Sequence, residues 1–524
     1  MTVAMPRTVR QVLIVGGGSA GWLVAGVLAA RHRAAEPGGL QVTLLESPGK
    51  PPIGVGEGTW PTMRDTLRAI GVSESGLVRD CDATFKQGSR FDGWIAGGHP
   101  HRDGDRYLHP FSLPLGHGDA DLVSAWLHGR GRPFADVVSP QPHLCARSLA
   151  PKQMATPEYA AVANYAYHFD AGRFGPWLQR HCTQVLGVRH VQDEMVAVVP
   201  ADNGDIAALK TRDHGLLAAD LFVDCTGLPA LLLGRHFGVP MVSQRSVLFC
   251  DSALAVQVPY AQEGQEIASQ TVSTAQAAGW VWDIGLSSRR GIGHVYSSAH
   301  TTDDAAEAAL RRHIAATGGP ADIRTPRKIS FDPGHRARFW ERNCVAIGLA
   351  AGFIEPLEAS ALALVELSAA QLADDWPATR ETMDIVARRF NDTFTARWSR
   401  IIDFLKLHYV LSRRDDSDFW RDNRQPASVP ERLKELLALW THRAPSRRDL
   451  HQVDEVFPSA SWQYVLYGMG FRPEAPALPP RPQDIALAEG HFRDATDLTR
   501  RMLAALPGHR ALVDHIRRHG QPAI

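Results

Sequence analysis

The stretch Val12–Trp22, VLIVGGGSAGW, runs an apolar strand straight into a glycine turn in which Gly16, Gly18 and Gly21 keep the spacing G-x-G-x-x-G. The first glycine makes the tight turn, the second removes a Cβ from the path of a phosphate, and the third lets helix and strand pack closely. A helix follows (LVAGVLAARH), and the turn before it, which includes Ser19 and Ala20, can bring backbone N–H groups to a pyrophosphate at the helix mouth, where the dipole favours an anion. A second strand, QVTLLES, then ends at Glu46, where a carboxylate can take ribose hydroxyls. Strand, turn, helix and acidic strand end together predict a dinucleotide site on an α/β fold.

The totals narrow the field. The chain has 524 residues, enough for two or three modules with substantial cores. Lys+Arg and Asp+Glu both total 56, so no basic excess points to nucleic acid or to an anionic membrane surface. The first residues, MTVAMPRTVRQ, lack the apolar core of a signal peptide, and the richest apolar stretch, GLAAGFIEPLEASALALVEL, carries three glutamates. The expected location is cytoplasmic. Six cysteines lie scattered without C-x-x-C spacing, and the 23 histidines include no H-E-x-x-H, so neither a disulfide framework nor a metal site is expected.

Strand–helix alternation early and helices late predict an α/β module followed by a mainly helical one, divided as 1–366 and 367–524. Thr62 to Ile70 and Phe169 to Leu186 have helical spacing, and 281–298 alternates as strands. Residues 88–148 mix Gly, Pro, His and aromatics with little periodicity and read as sheet edges and long loops around a pocket. A long apolar helix is expected from about Leu357, the proline-rich 472–483 reads as an ordered connector, and the last forty residues read as two amphipathic helices.

Two later segments bear on which dinucleotide is bound. LFVDCTG is a strand ending in a small-residue turn at Gly227, the form taken where a chain returns beneath a flavin. CVAIGLAAGFIEP is a strand, a Gly/Ala turn and a helix start that can set the N–H groups of Ile347, Gly348 and Leu349 near flavin or ribityl atoms. These returns suit FAD with a substrate-side sheet inserted between cofactor segments. No second strand–G-x-G-x-x-G–helix unit provides a nicotinamide site.

Taken together, GGGSAGW, GVGEGTWP, DATFKQG, GWVWDIGL and GFIEPLEAS resemble the flavin-dependent tryptophan halogenases, in the family's order and over nearly the whole chain. The resemblance implies a Rossmann-like FAD module of the flavin monooxygenase type, with Gly56 of the second motif among the cofactor contacts. In the family's W-x-W-x-I-P motif the tryptophans are thought to keep substrate from the flavin. Trp280, Trp282 and Ile284 match it, while Gly285 replaces the proline. The implied chemistry uses FADH2 from a separate reductase, O2 and a halide, chloride or bromide, to make hypohalous acid that travels to a lysine. Lys86 matches that lysine, and Glu358 matches the carboxylate that stabilises the arenium intermediate and takes its proton. The family pattern L-E-S-T-G reads here Leu357-Glu358-Ala359-Ser360-Ala361, so the halide is expected on the N–H groups of Ser360 and Ala361.

On the substrate side, His109 and Phe111 fall where the family stacks an indole ring, and Trp462 is a third candidate wall. The late helical region HQVDEVFPSASWQYVLYGMGF does not show the tyrosine pair expected of enzymes that grip free tryptophan, which points to an open site for simple indoles. GWVWDIGL and GHVYSS resemble the branch of the family associated with simple indoles and bromide. The expected partners are a flavin reductase and an indole-type aromatic, and a homodimer is compatible with the sequence without being required by it. An aromatic monooxygenase and a non-catalytic flavin-binding protein are the two competing readings.

Overall fold

A computed structural model describes residues 8–49, 56–96, 104–129, 131–450, 452, 454–474 and 481–523. The chain forms two compact units, each assembled from three separated stretches. One comprises Met1–Asp82, Phe169–Gln244 and Asp332–Trp398; the other comprises Ala83–His168, Arg245–Phe331 and Ser399–Ile524. The expected single division after residue 366 does not describe this arrangement. The strands of the second unit come from both the early and the middle chain and pair with one another, so no serial cut can separate the units.

The first unit is built on a six-stranded sheet in the order Trp340–Glu341, Cys344–Ala346, Leu221–Asp224, Gln11–Val15, Gln41–Glu46, Arg189–Gln192. All neighbours are parallel except the Trp340–Glu341 edge. QVLIV is buried from its second residue and LFVD throughout, the near-continuous apolar pattern of strands covered on both faces. The first strand has its two parallel neighbours on opposite sides, so the glycine turn leaves the sheet at a topological switch point, where α/β folds bind ligands. Asp224 ends its strand fully buried and organises the next turn. Its carboxylate accepts from the Thr226 N–H and hydroxyl and from the N–H groups of Leu232 and Leu233.

The second unit carries a seven-stranded sheet in the order Arg327–Ser330, Ser252–Pro259, Arg289–Tyr296, Gly279–Gly285, Thr271–Gln276, Gly88–Asp92, Arg106–Pro110. Only the Thr271–Gln276 and Gly88–Asp92 pair is parallel. Trp280 and Trp282 alternate onto one face, and Trp282 lies directly over Gly293, where a Cβ would come within 2.1 Å of its ring. Residues 88–148, expected to be sheet edges and long loops, supply two of these strands, with Arg106–Pro110 at the sheet edge, and also the unexpected helices Leu122–His128, Phe134–Val138 and Gln141–Ala146. The elements are too short for periodicity to register. The two C-terminal helices are present as Pro482–Ala505 and His509–His519, and part of the expected 472–483 connector lies outside the described residues.

Among the described residues no helix is long and apolar enough to cross a membrane, and no group of three His, Cys, Asp or Glu could hold a metal ion. None of the six cysteines is in a disulfide.

Within the first unit, Glu366 lies in the helix Ser360–Asp374, where its carboxyl accepts a 2.8 Å hydrogen bond from the Thr66 hydroxyl of the helix Thr62–Ile70. Burial pushes it up from 4.5 to about 8, so the neutral acid is the native form at pH 7. A carboxyl raised on folding stabilises the fold fully below its unfolded value, and that stability is lost as pH rises through the folded value. Glu366→Gln should therefore melt close to wild type at pH 5 and at a higher temperature than wild type at pH 9. Parallel melting curves for the two proteins from pH 5 to 9 would contradict this assignment.

Candidate active site

In the first unit the glycine turn divides into packing glycines and one exposed glycine. Gly16 has φ +117°, and a Cβ there would lie 2.2 Å from the Cys225 carbonyl oxygen, beside the turn that contains Gly227. A Cβ on Gly21 would lie 1.9 Å from the Gly16 oxygen, and one on Gly17 would strike the Glu46 carboxyl at 2.1 Å. Gly18 differs: it is exposed, has an ordinary φ of −75°, and its missing Cβ would meet nothing within 4 Å. Gly18 caps the helix Ser19–Arg31, which has no side-chain cap and no acidic residue in its first turn, so the N–H groups of Ser19 and Ala20 are available to an anion. This open, uncapped helix start fits the pyrophosphate of a dinucleotide.

Glu46 ends its strand with its carboxylate 2.9 Å from His190 Nε2, and the other ring nitrogen of His190 meets Gln179 at 3.1 Å. The Gln179 amide donates to Nδ1, which leaves Nε2 carrying the proton donated to Glu46. Sequence reasoning found Glu46 but not His190, whose strand is distant in the chain. Gly56 begins the short strand Gly56–Gly58; Gly54 and Val55 of the same motif lie outside the described residues. The Ile347 N–H donates to the Asp224 carbonyl, and Gly348 has φ +73° with a virtual Cβ 2.9 Å from the Ala20 methyl. The 347–349 return thus packs directly on the start of the helix Ser19–Arg31.

Glu358 is 2 % exposed, and its backbone is pinned by the Trp60 indole, which donates to the Glu358 carbonyl at 2.6 Å. Ala359 sits in the left-handed region at φ +55°, a conformation that costs a non-glycine residue about 1–2 kcal/mol. The helix therefore begins at Ser360, three residues later than expected, and Ala359 offers no capping side chain. Ser360 is buried, so the leading N–H groups of Ser360 and Ala361 form a buried helix start without a side-chain cap. Strain of this kind persists where the surroundings enforce it, commonly at functional sites.

In the second unit Lys86 ends the strand Thr84–Lys86, which pairs antiparallel with Ala166–Asp170. Its side chain is 1 % exposed, and Nζ lies 5.2 Å from the centre of the Phe111 ring, within cation–π range. The Thr84 hydroxyl donates to the Gly285 carbonyl at 2.6 Å, which ties the lysine strand to the end of the tryptophan motif. Gly285, the departure from the family's proline, has little room beside it: a Cβ would come within 2.8 Å of Ile267. His168 is fully buried, meets the Thr271 hydroxyl at 2.8 Å, and is held well below the usual histidine range by burial and then by the Lys86 charge.

Phe111 is held by its backbone. Its N–H donates to the Gln87 carbonyl, its carbonyl accepts from Asn164, and the following Ser112 N–H donates to Gln141. The Tyr464 hydroxyl completes the clamp at the Ser112 carbonyl, 3.0 Å away. Sequence reasoning did not single out Gln87, Gln141 or Asn164, because polar residues in loops or at the start of a six-residue helix carry no periodic signal. His109 is buried in the edge strand of the sheet, its ring 5.7 Å from Phe404. Trp462 lies in the same aromatic cluster. It is 1 % exposed, packs edge-on against Phe404, and its indole N–H is already donated to the Phe457 carbonyl. It packs behind Phe404, the ring that neighbours His109.

The glycine turn at a sheet switch point and the uncapped helix start of the first unit, and the buried lysine beside a fixed aromatic ring in the second, are compatible with a flavin-dependent oxidoreductase. Residues 11–479 match the family model described as Tryptophan halogenase. A tryptophan halogenase of known structure from Shewanella frigidimarina NCIMB 400 is 46% identical, with 99% of each chain covered and a TM-score of 0.95. Tryptophan 7-halogenase KtzQ of Kutzneria sp. (strain 744) is 33% identical over 527 residues, which cover 95% of this chain and 97% of KtzQ. BrvH, a flavin-dependent halogenase from Brevundimonas sp. BAL3, is 33% identical over 97% of this chain and 99% of its own, with a TM-score of 0.83. The chain belongs to the tryptophan halogenase family and is a flavin-dependent halogenase.

The contrast between Gly18 and its neighbours can be tested directly. Gly18→Ala should fold with a wild-type melting temperature, because the methyl enters open space at an allowed φ, yet bind FAD at least about ten-fold more weakly by obstructing the phosphates. Gly16→Ala should lose stability as well. Equal FAD affinity for Gly18→Ala and wild type in a fluorescence titration would remove Gly18 from the cofactor site.

Proposed function

We propose that the chain halogenates an indole-type aromatic, using FADH2, O2 and bromide or chloride, through hypohalous acid delivered to Lys86. The observation that carries this reading is the burial of the Lys86 amine against the Phe111 ring, where bulk water and surface anions cannot compete for it. Reduced flavin and O2 supply the oxidising equivalents: one oxygen atom leaves as water, and the other joins the halide in hypohalous acid. The glycine turn, Glu46, Gly56, Gly227 and the 347–349 return would hold the FAD, which a separate reductase supplies in reduced form. The halide would sit on the Ser360 and Ala361 N–H groups, whose helix start already lacks a side-chain cap.

At the lysine, the Nζ hydrogens orient hypohalous acid, or the neutral amine takes the halogen and releases water. In either case electrophilic halogen is presented to one ring carbon. His109 and Phe111 stack the aromatic substrate so that this carbon meets the halogen, a positioning effect that raises the effective concentration of the two reactants. Glu358 stabilises the arenium cation and accepts its proton. Trp280 and Trp282 form an apolar layer that keeps the aromatic from the flavin.

Purified protein should be supplied with FAD, a flavin reductase, NADH, O2 and bromide, with tryptophan and indole in separate reactions. The expected product shows the paired bromine isotope pattern, with indole preferred. Lys86→Ala should bind FAD normally and lose halogenated product by at least about a hundred-fold, the scale for removing a positioned catalytic group. A hydroxylated product, or halogenation undiminished in Lys86→Ala, would overturn the assignment.

A further inference from the structure

The functional reading leaves unexplained a fully buried histidine near the C-terminus. His509 is the first residue of the helix His509–His519, yet its ring reaches the middle of the lysine strand, 424 positions earlier in the chain. The Phe85 N–H donates to His509 Nε2 at 2.9 Å, and His509 Nδ1 lies 3.1 Å from the Ile267 carbonyl. A carbonyl can only accept, so the proton is on Nδ1 and Nε2 is the acceptor. Both ring nitrogens are thereby committed, and the imidazole is fixed as one neutral tautomer. Burial lowers its pKa to about 4, in keeping with this geometry.

The histidine is itself braced. Its own N–H donates to the Ser148 carbonyl, Ala150 donates to the Pro507 carbonyl, and Leu149 bridges Gly508. The Gln87 side chain, next to Lys86, donates to the Leu149 carbonyl at 2.7 Å. A closed loop of contacts thus runs from Gln87 through Leu149 and Gly508 to His509 and back to Phe85, enclosing Lys86 between its two sequence neighbours. The Phe85 ring is gripped in the same region: Tyr165 packs edge-on at 5.2 Å, and the buried Lys152 amine lies 5.4 Å away.

We infer that His509 is a positioning residue for Lys86, fixing the three-residue lysine strand by accepting the Phe85 N–H. The inference rests on the proposed role of Lys86. A three-residue strand has few ladder hydrogen bonds of its own, so an outward N–H next to the reacting side chain must be satisfied elsewhere or the strand shifts. A shift of about 1 Å at a reacting group can cost up to about a hundred-fold in rate. The consequence is uncoupling: hypohalous acid is still made, but it escapes instead of reaching the aromatic.

The test compares His509→Gln, whose amide oxygen can reach the Nε2 position, with His509→Asn, whose shorter amide reaches only the Nδ1 position. Each is assayed for indole halogenated and for free hypohalous acid trapped per O2 consumed, beside Lys86→Ala and a thermal melt. The expected result is a fall of about ten-fold in coupling for His509→Asn, with trapped hypohalous acid rising to match, and recovery to within about two-fold in His509→Gln. Equal coupling in the two variants, or losses that track melting temperature alone, would overturn the positioning role. Should Lys86→Ala itself halogenate indole, the Lys86 reading and this inference fall together. An inactive Lys86→Ala beside a fully coupled His509→Asn would reject the inference alone.

Discussion

A lysine whose side chain is 1 % exposed sets the terms for the second unit. An ammonium taken from water loses hydration that its new surroundings must replace, and any slack in those surroundings lets water return. The structure answers with rigidity. Thr84 bonds to the Gly285 carbonyl, Phe85 to His509, and Gln87 to both Ser269 and Leu149, so every residue flanking Lys86 is committed to a different segment. Phe111 presents its ring to the amine and is itself held by four hydrogen bonds from its own and the next peptide group. The aromatic core behind His109, including Phe404 and Trp462, supplies packing to this region.

The first unit obeys a different constraint, the close approach of backbone to backbone. Gly16 and Gly21 exist because a Cβ would collide with a carbonyl oxygen, whereas Gly18 faces open space beside an uncapped helix. The same logic recurs at Gly348 against Ala20 and, in strained form, at Ala359, which begins a second uncapped helix. Both helix starts offer N–H groups without side-chain competition, one suited to phosphate and the other to halide. In the proposed chemistry this unit makes the oxidant and the other spends it on an aromatic.

The glycine turn was legible because its reasons are local: strand, turn and helix are contiguous, and Gly16 and Gly21 each answer to a neighbour within that motif or its sheet. Helix Thr62–Ile70 and the two C-terminal helices were legible from periodicity. Lys86 and Glu358 were named through motif resemblance, since nothing in a sequence distinguishes a buried lysine from a surface one. The inserted substrate-side sheet was legible from the separated cofactor returns at Gly227 and 347–349, but its pairing with strands of residues 88–110 was not, because pairing between distant segments leaves no periodic trace. His509, His190 and Gln141 were missed for the same reason: each acts on a backbone or side-chain group far away in the chain. The start of the glutamate helix was misjudged because an alanine at φ +55° has no signature in composition.

The central claim is that halogen passes to the aromatic inside the protein, at a lysine that bulk solvent does not reach. The most direct measurement is the yield of brominated indole from wild-type enzyme with and without a millimolar scavenger of free hypobromous acid in the solvent. The account predicts the same yield in both. A yield that falls in proportion to the scavenger would mean that the oxidant leaves the protein before it reacts, and would contradict the account.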